Sequence, residues 1–122
     1  MAYICEYGDL YASDAYFRLK NAENFPDVHV TGAGLIRLNG IYKLYRCSDG
    51  VGSYTNGFCF LDRVGTEWVF YIGYYDGESS VFKTFLYYLR SDDDYPPSTG
   101  WKARSPSYLP APIISLKSKK LK

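Results

Sequence analysis

Turn-forming residues divide the chain after Val28 at short and regular intervals, and this spacing constrains the fold more than any other feature of the sequence. The segments between these turns are rich in tyrosine and in β-branched residues, which favour strands. Such spacing is typical of an antiparallel all-β fold. We therefore predict a single antiparallel β-sandwich or barrel-like domain. The turn signals are Gly32-Ala33-Gly34, Asn39-Gly40, Ser48-Asp49-Gly50, Asn56-Gly57, Gly65 and Asp76-Gly77.

The most continuous apolar segments lie in the middle of the chain. Residues 58–61 and 68–75 are apolar on both alternating faces, which predicts central strands, and residues 82–89 are predicted to be their antiparallel neighbour. Residues 106–114 contain three prolines. Because proline cannot donate to a ladder, that segment is expected to lie extended along a sheet edge.

The length of 122 residues suits one domain with one hydrophobic core. The breaker cluster Asn24-Phe25-Pro26-Asp27 separates an N-terminal extension from the rest. We predict an extension at residues 1–27, a β domain at residues 28–115 and a basic, flexible tail at residues 116–122.

Aromatic residues make up 19% of the chain, and 14 of its residues are tyrosines, which is well above the usual share. Because side chains alternate between the faces of a strand, each neighbouring tyrosine pair is split across the sheet, so one ring of each pair faces outward unless both faces are covered. Two interpretations follow: cross-strand packing with loop anchoring, or a recognition surface for protein or sugar. Trp68 is predicted to be a core residue, and Trp101 the plug of the Pro96-Pro97 loop. The candidate binding residues are Tyr74, Tyr75, Tyr87, Tyr88 and Trp101.

The sequence carries no catalytic signature. His29 is the single histidine, so it has no second histidine for a metal site or a triad. The run Asp92-Asp93-Asp94 offers oxygen ligands for calcium, but neighbouring aspartates repel each other, and a solvated loop is the favoured interpretation. We predict no catalytic residues, no resident metal and no cofactor.

Charge and cysteine content bear on partners and compartment. A formal net charge of +1 argues against nucleic-acid binding, and no apolar run is long enough to span a membrane. Three cysteines, Cys5, Cys47 and Cys59, are an odd number at irregular spacing. They favour a soluble protein in a reducing intracellular compartment.

Several short motifs occur in a fixed order between Val28 and Ile114. In this order they resemble a small β domain that occurs in protist, algal and giant-virus-like proteins, often within longer chains. The resemblance covers most of the chain, leaves out residues 1–27 and implies a non-enzymatic β module. The motifs are Gly32-Ala33-Gly34, Asn39-Gly40-Ile41-Tyr42, Arg63 ahead of Trp68, Tyr87 or Tyr88, Pro96-Pro97-Ser98-Thr99-Gly100-Trp101 and Pro110-Ala111-Pro112-Ile113.

These observations predict a non-enzymatic interaction or structural module. It would join a larger assembly through an aromatic sheet face, sheet edges and the N-terminal extension, with a protein partner or a second copy of the chain. The alternative is a carbohydrate-binding module, in which tyrosine and tryptophan rings stack on sugars and Asp92 to Asp94 or Asn56 supply polar contacts.

Overall fold

The computed structural model describes residues 25–48, 50–75 and 81–117. Within these ranges the chain forms strands and two single turns of 3-10 helix, at Ile36–Leu38 and Pro106–Tyr108, and it forms no α-helix. The strands are β1 (Asp27–Thr31), β2 (Gly40–Ser48), β3 (Val51–Thr55), β4 (Phe60–Val64), β5 (Glu67–Tyr75), β6 (Val81–Arg90), β7 (Lys102–Ala103) and β8 (Ile113–Lys117).

All eight strands belong to one antiparallel sheet in the order β7-β6-β5-β4-β3-β2-β1-β8. The sheet is strongly curled and forms a half-barrel, so it wraps its own inner face around a core. The predicted all-β single domain is confirmed. Of the two architectures that the sequence left open, the barrel-like one describes the curl.

The curl has local causes. The hairpins β2–β3 and β4–β5 close in two-residue turns that include Gly50, with φ of 80°, and Gly65, with φ of 63°. Bulges interrupt the ladders between β2 and β3 near Tyr45 and between β5 and β6 at Leu86. An extra residue on one strand increases the local twist and bends the sheet.

The core lies on the inner face of the curl and is largely aromatic. Trp68 is fully buried, which confirms its predicted core position. The Phe70 ring lies between its neighbours, with centroid distances of 5.6 Å to Tyr42, 6.3 Å to Tyr87 and 4.8 Å to Trp101. Such tilted and edge-to-face contacts add to the gain from burial. These residues come from β2, β5, β6 and the loop before β7, so the core joins both halves of the sheet.

The sheet edge at β8 is held by contacts with loops. The amide of Ile114 donates to the carbonyl oxygen of Ser98 at 2.9 Å. The amide of Gly34 donates to the carbonyl oxygen of Pro110 at 2.8 Å. A Cβ at position 34 would lie 2.2 Å from the carbonyl oxygen of Leu109, so only glycine permits this approach. The proline-rich segment therefore lies at an edge as predicted, although strand geometry begins only at Ile113.

Some predicted features fall partly outside the described residues. These are most of the extension at residues 1–27, the turn Asp76-Gly77 and the last residues of the predicted tail. Strand β1 begins at Asp27, and the preceding Phe25 is 1% exposed and packs into the core. Strand β8 runs to Lys117. The described strands thus run from Asp27 to Lys117, and the domain bounds at residues 28–115 stay a prediction.

Candidate recognition sites

The outer face of β4, β5 and β6 is apolar and aromatic. A one-layer antiparallel sheet normally places its core on one face and polar side chains on the other. Here Trp68 and Phe70 point to the core, so Val69 and Tyr71 lie on the opposite face, where each is only 5% exposed. The outer face is therefore a second packed surface.

Four rings, which we call the outer aromatic cluster, cross this face from β2 to β6. Phe60 stacks on Tyr71 with centroids 5.5 Å apart, and Tyr45 meets Phe60 edge-on at 5.6 Å. Phe85 meets Tyr71 at 6.0 Å, and the ammonium group of Lys83 lies 4.7 Å from the Tyr71 ring centroid. The contacts follow from the register, because Tyr71 is the direct partner of Phe60 on β4 and of Phe85 on β6.

A buried polar pair anchors the cluster. The Tyr71 hydroxyl donates to Oδ2 of Asp62 at 2.6 Å, and Asp62 is 5% exposed. Desolvation by burial, followed by the hydrogen bond to Asp62, raises the pKa of Tyr71 well above its usual value. The phenol therefore stays protonated and donates. The other carboxylate oxygen, Oδ1, has no hydrogen-bond partner among the described residues.

Beside the cluster lies an open cavity of about 290 Å³, which we call the outer groove. Val69 is its buried member, and the Phe85 and Tyr88 rings lie to its sides. The guanidinium of Arg104 lies 5.7 Å from the Tyr88 ring centroid, within the range of a cation–π contact. The outer groove thus combines apolar surface, two aromatic rings and two opposite charges. The lining residues are Val64, Glu67, Val69, Phe85, Tyr88 and Arg104.

A second cavity, of about 220 Å³ and lined mostly by apolar groups, opens beside the first 3-10 turn; we call it the apolar pocket. Among the described residues, it shares no lining residue with the outer groove. Arg37 is its charged member. The lining residues are Leu35, Ile36, Arg37, Leu38, Phe58, Cys59, Ile72 and Leu86.

Two of the predicted binding residues belong to the core. Tyr87 is fully buried, and its hydroxyl donates to the carbonyl oxygen of Tyr108 and accepts from the amide of Leu35. Trp101 is 6% exposed, and its indole N–H donates to the carbonyl oxygen of Pro97 at 2.9 Å. Trp101 therefore plugs the Pro96-Pro97 loop as predicted. Neither ring forms part of an exposed recognition surface in this structure.

The other three predicted binding residues lie elsewhere. Tyr88 pairs with Val69 and lines the outer groove, so Tyr87 and Tyr88 are split across the two faces as predicted. Tyr74 and Tyr75 end β5, and their side chains lie outside what the structure describes. Of the five candidates, Tyr88 alone is placed in a described cavity.

The acidic loop after β6 is tied down by an arginine. Nη1 of Arg63 donates to the carbonyl oxygens of Asp92 at 2.9 Å and Asp93 at 2.8 Å, and it lies 3.6 Å from Oδ1 of Asp94. The indole N–H of Trp68 also donates to the Asp93 carbonyl, at 3.1 Å. The carbonyls that a calcium ion would need are thus engaged by a guanidinium and an indole.

Asn56, the other polar residue predicted for sugar contacts, is also engaged in hydrogen bonds, both within its own loop and to the turn Ile36–Leu38. Its side-chain oxygen accepts from the amides of Phe58 and Cys59, and its amide group donates to the carbonyl oxygen of Arg37 at 3.1 Å. The hydrogen-bonding groups of Asn56 therefore support loop structure.

The His, Cys, Asp and Glu side chains of the described residues bear on metal and thiol chemistry. In the described ranges, no three His, Cys, Asp or Glu side chains gather as a metal site would require. His29 is a half-buried residue of β1 between Ile41 and Ser115 on the neighbouring strands. Cys59 is a buried free thiol, and Cys47 is disulfide-bonded. Disulfides are rare in reducing compartments, so this bond weighs against the predicted compartment, which stays a prediction.

Sequence reasoning missed most of the groups that line the two cavities. Phe85 was hidden by the bulge at Leu86, because strict alternation assigns Phe85 and Tyr88 to opposite faces. Ile36 and Arg37 lie in a 3-10 turn. The only available signal was an apolar pair, Leu35-Ile36, between two glycine-containing turns.

The fold and these surfaces define an all-β, aromatic-rich single domain. Where the structure describes the chain, no helix has the length and apolar character that a membrane span requires. Comparisons with family models, curated proteins and solved structures found no match. The resemblance to the small β domain of protist, algal and giant-virus-like proteins therefore stays a prediction.

Proposed function

We propose that this chain is a non-enzymatic interaction module that joins a larger assembly through the outer face of β4, β5 and β6. The observation that carries the proposal is the apolar character of that face on a one-layer sheet. The inner face already supplies a complete core. A second apolar face is useful to a chain that contacts another surface.

The exposed part of the face has the composition of an interface. Val64 is 54% exposed and Phe85 is 39% exposed, and both border the outer groove beside buried Val69. Covering such side chains gains about 25 cal/mol for each Å² of apolar surface removed from water. Glu67 and Arg104, at the same groove, supply opposite charges that would orient a partner. An apolar centre with charges at the rim is the usual anatomy of a recognition surface.

The partner that we propose to test first is a second copy of the chain. The short outer strands β7 and β8 are the sheet edges, and together with the N-terminal extension predicted from the sequence they offer further contact area. Residues 1–24 lie outside the described residues, so the argument rests on the outer face.

Light scattering on the full chain across a concentration series tests this proposal. We expect the mass to rise above 13.9 kDa with concentration, and Phe85→Glu to hold it at the monomer value. Ile41→Glu is the matched control, because Ile41 is 49% exposed on β2, which is not an edge strand, and does not line the groove. A photo-crosslinking residue at position 85 should capture a partner that one at position 41 does not. A strictly monomeric chain with equal capture at both positions contradicts the proposal.

Carbohydrate binding is the second candidate function, and the residues that line the outer groove favour it. The Phe85 and Tyr88 rings offer surfaces on which a sugar ring stacks, and Glu67 and Arg104 offer hydrogen-bonding groups for hydroxyls. A glycan screen with wild type and Tyr88→Ala tests this function. Binding that disappears in Tyr88→Ala supports it, whereas equal binding by the two proteins, or none by either, contradicts it.

A further inference from the structure

The wall of the apolar pocket is fixed by hydrogen bonds. The 3-10 turn Ile36–Leu38 is anchored to three separate parts of the fold, so the pocket is formed before any ligand arrives, and little ordering is needed on binding. The anchoring bonds run from the Leu35 amide to the Tyr87 hydroxyl (3.3 Å), from the Asn56 side-chain amide to the Arg37 carbonyl (3.1 Å) and from the Tyr42 hydroxyl to the Leu38 carbonyl (2.6 Å).

The same turn presents Ile36 to solvent. Ile36 is 79% exposed and is the most exposed of the large hydrophobic side chains in the described residues. Because Ile36 lines the opening of the apolar pocket, apolar surface is exposed to water both on its side chain and on the pocket walls. A ligand that entered the pocket would cover the Ile36 side chain along with the pocket walls.

Arg37 gives the rim a positive charge of fixed position. Its guanidinium lies 3.7 Å from the Phe58 ring centroid, so it is stacked on a pocket wall. Among the described residues, no carboxylate lies within ion-pair distance of Arg37. The N–H edges of a stacked guanidinium remain able to bind a carboxylate.

Cys59 contributes an uncharged lining to the pocket. Burial raises the pKa of the Cys59 thiol, although Tyr42 and Arg37 oppose the shift. The sulfur therefore stays protonated at neutral pH and behaves as a small apolar group. Arg37 is the charged group at the cavity.

We propose that the apolar pocket binds a small aliphatic carboxylate, with its alkyl chain against the pocket walls and its carboxylate on Arg37. The cavity of about 220 Å³ equals about seven water volumes, which suits a chain of roughly six carbons. An apolar cavity of this kind binds apolar molecules because its walls offer water few hydrogen bonds.

Amide chemical shifts of the full chain, followed during titration with acetate, butanoate, hexanoate and octanoate, test the proposal. We expect shifts at Ile36, Arg37 and Cys59, and affinity that rises by about fourfold for each methylene buried until the pocket is full. Hexanol serves as the uncharged probe. N-acetyl-leucine distinguishes the free acid from the C-terminal residue of a peptide, and tighter binding of N-acetyl-leucine than of hexanoate overturns the assignment to a free acid.

Two variants separate the contributions of chain and charge. Ile36→Ser should weaken hexanoate binding about threefold or more, because it removes apolar cover at an exposed position. The matched control Ile41→Ser changes an isoleucine that is 49% exposed on β2, outside the pocket, and should leave binding unchanged. Arg37→Gln should weaken hexanoate binding about two- to fivefold without affecting hexanol.

Three results would overturn the proposal. Affinity that does not depend on chain length removes the apolar pocket as the binding site. Shifts confined to the outer groove residues place the ligand elsewhere. Equal losses of hexanoate and hexanol binding in Arg37→Gln remove the carboxylate contact. Because the described linings of the outer groove and the apolar pocket have no residue in common, failure here leaves the proposed interaction role standing and separately testable.

Discussion

Replacing Trp101 with alanine tests the central claim about the core. The Trp101 side chain lies on Phe70 with ring centroids 4.8 Å apart, and its indole N–H donates to the Pro97 carbonyl at 2.9 Å. The substitution removes both contacts and leaves a cavity under the loop that precedes β7.

The size of the effect follows from burial. A tryptophan side chain covers roughly 150–250 Å², and at about 25 cal/mol per Å² its burial is worth about 4–6 kcal/mol. Alanine recovers part of this, and measured Trp→Ala costs in cores are about 3–5 kcal/mol. Trp101 is 6% exposed, so we expect a loss of about 4 kcal/mol in the free energy of unfolding. Trp101→Phe keeps the ring packing and loses the hydrogen bond, so it should cost about half as much.

Urea denaturation followed by fluorescence measures the loss. The chain has two tryptophans, so the buried Trp68 is the single indole reporter in both variants. With an m-value of about 2 kcal/mol per molar urea, the midpoint should fall by about 2 M for alanine and about 1 M for phenylalanine. A midpoint that moves by less than about 0.5 M in Trp101→Ala would refute the assignment of this indole to the core.

Two further predictions concern titration and thiol chemistry. Desolvation by burial raises the pKa values of Tyr42, Tyr54 and Tyr71. These phenols therefore ionise near pH 10 in the unfolded chain but not in the folded one. Above pH 10, each phenol should lower the free energy of unfolding by about 1.4 kcal/mol per pH unit. Absorbance at 295 nm should show a late ionisation step coincident with unfolding; full ionisation near pH 10 with the fold intact contradicts this. Cys59 should react with a thiol reagent only after unfolding, and Cys47 only after reduction, as mapped by mass spectrometry. Labelling of Cys47 in unfolded, unreduced protein contradicts the disulfide.

The strands of the central hairpins were predictable because local chemistry decides them. The apolar runs that became β4, β5 and β6 lie between turn residues, and Gly65 has the positive φ that the β4–β5 turn requires. Trp68 was predictable as a core residue because it lies in a continuous apolar segment, where a large aromatic side chain is usually buried. In these segments, propensity, turn chemistry and burial all favour the same structure.

The two cavities were not predictable because distant segments build them. The apolar pocket combines the turn at Ile36–Leu38 with Phe58, Ile72 and Leu86, which come from different parts of the sheet. Sequence spacing says nothing about how far a sheet curls, and the curl brings these residues together. Arg63 is a similar case, because it binds carbonyls about 30 residues further along the chain.

The outer groove depends on a single irregularity in β6. With strict alternation, Phe85 would share a face with Tyr87, and Tyr88 would share a face with Leu86. The bulge lets Leu86 and Tyr87 both enter the core, and it leaves Phe85 beside Tyr71 and Tyr88 beside Val69 on the outer face. The same extra residue that bends the sheet around its core therefore places two aromatic rings at the groove. The curl of the sheet and the proposed recognition surface have one physical origin here, and deletion of Leu86 would disturb both together.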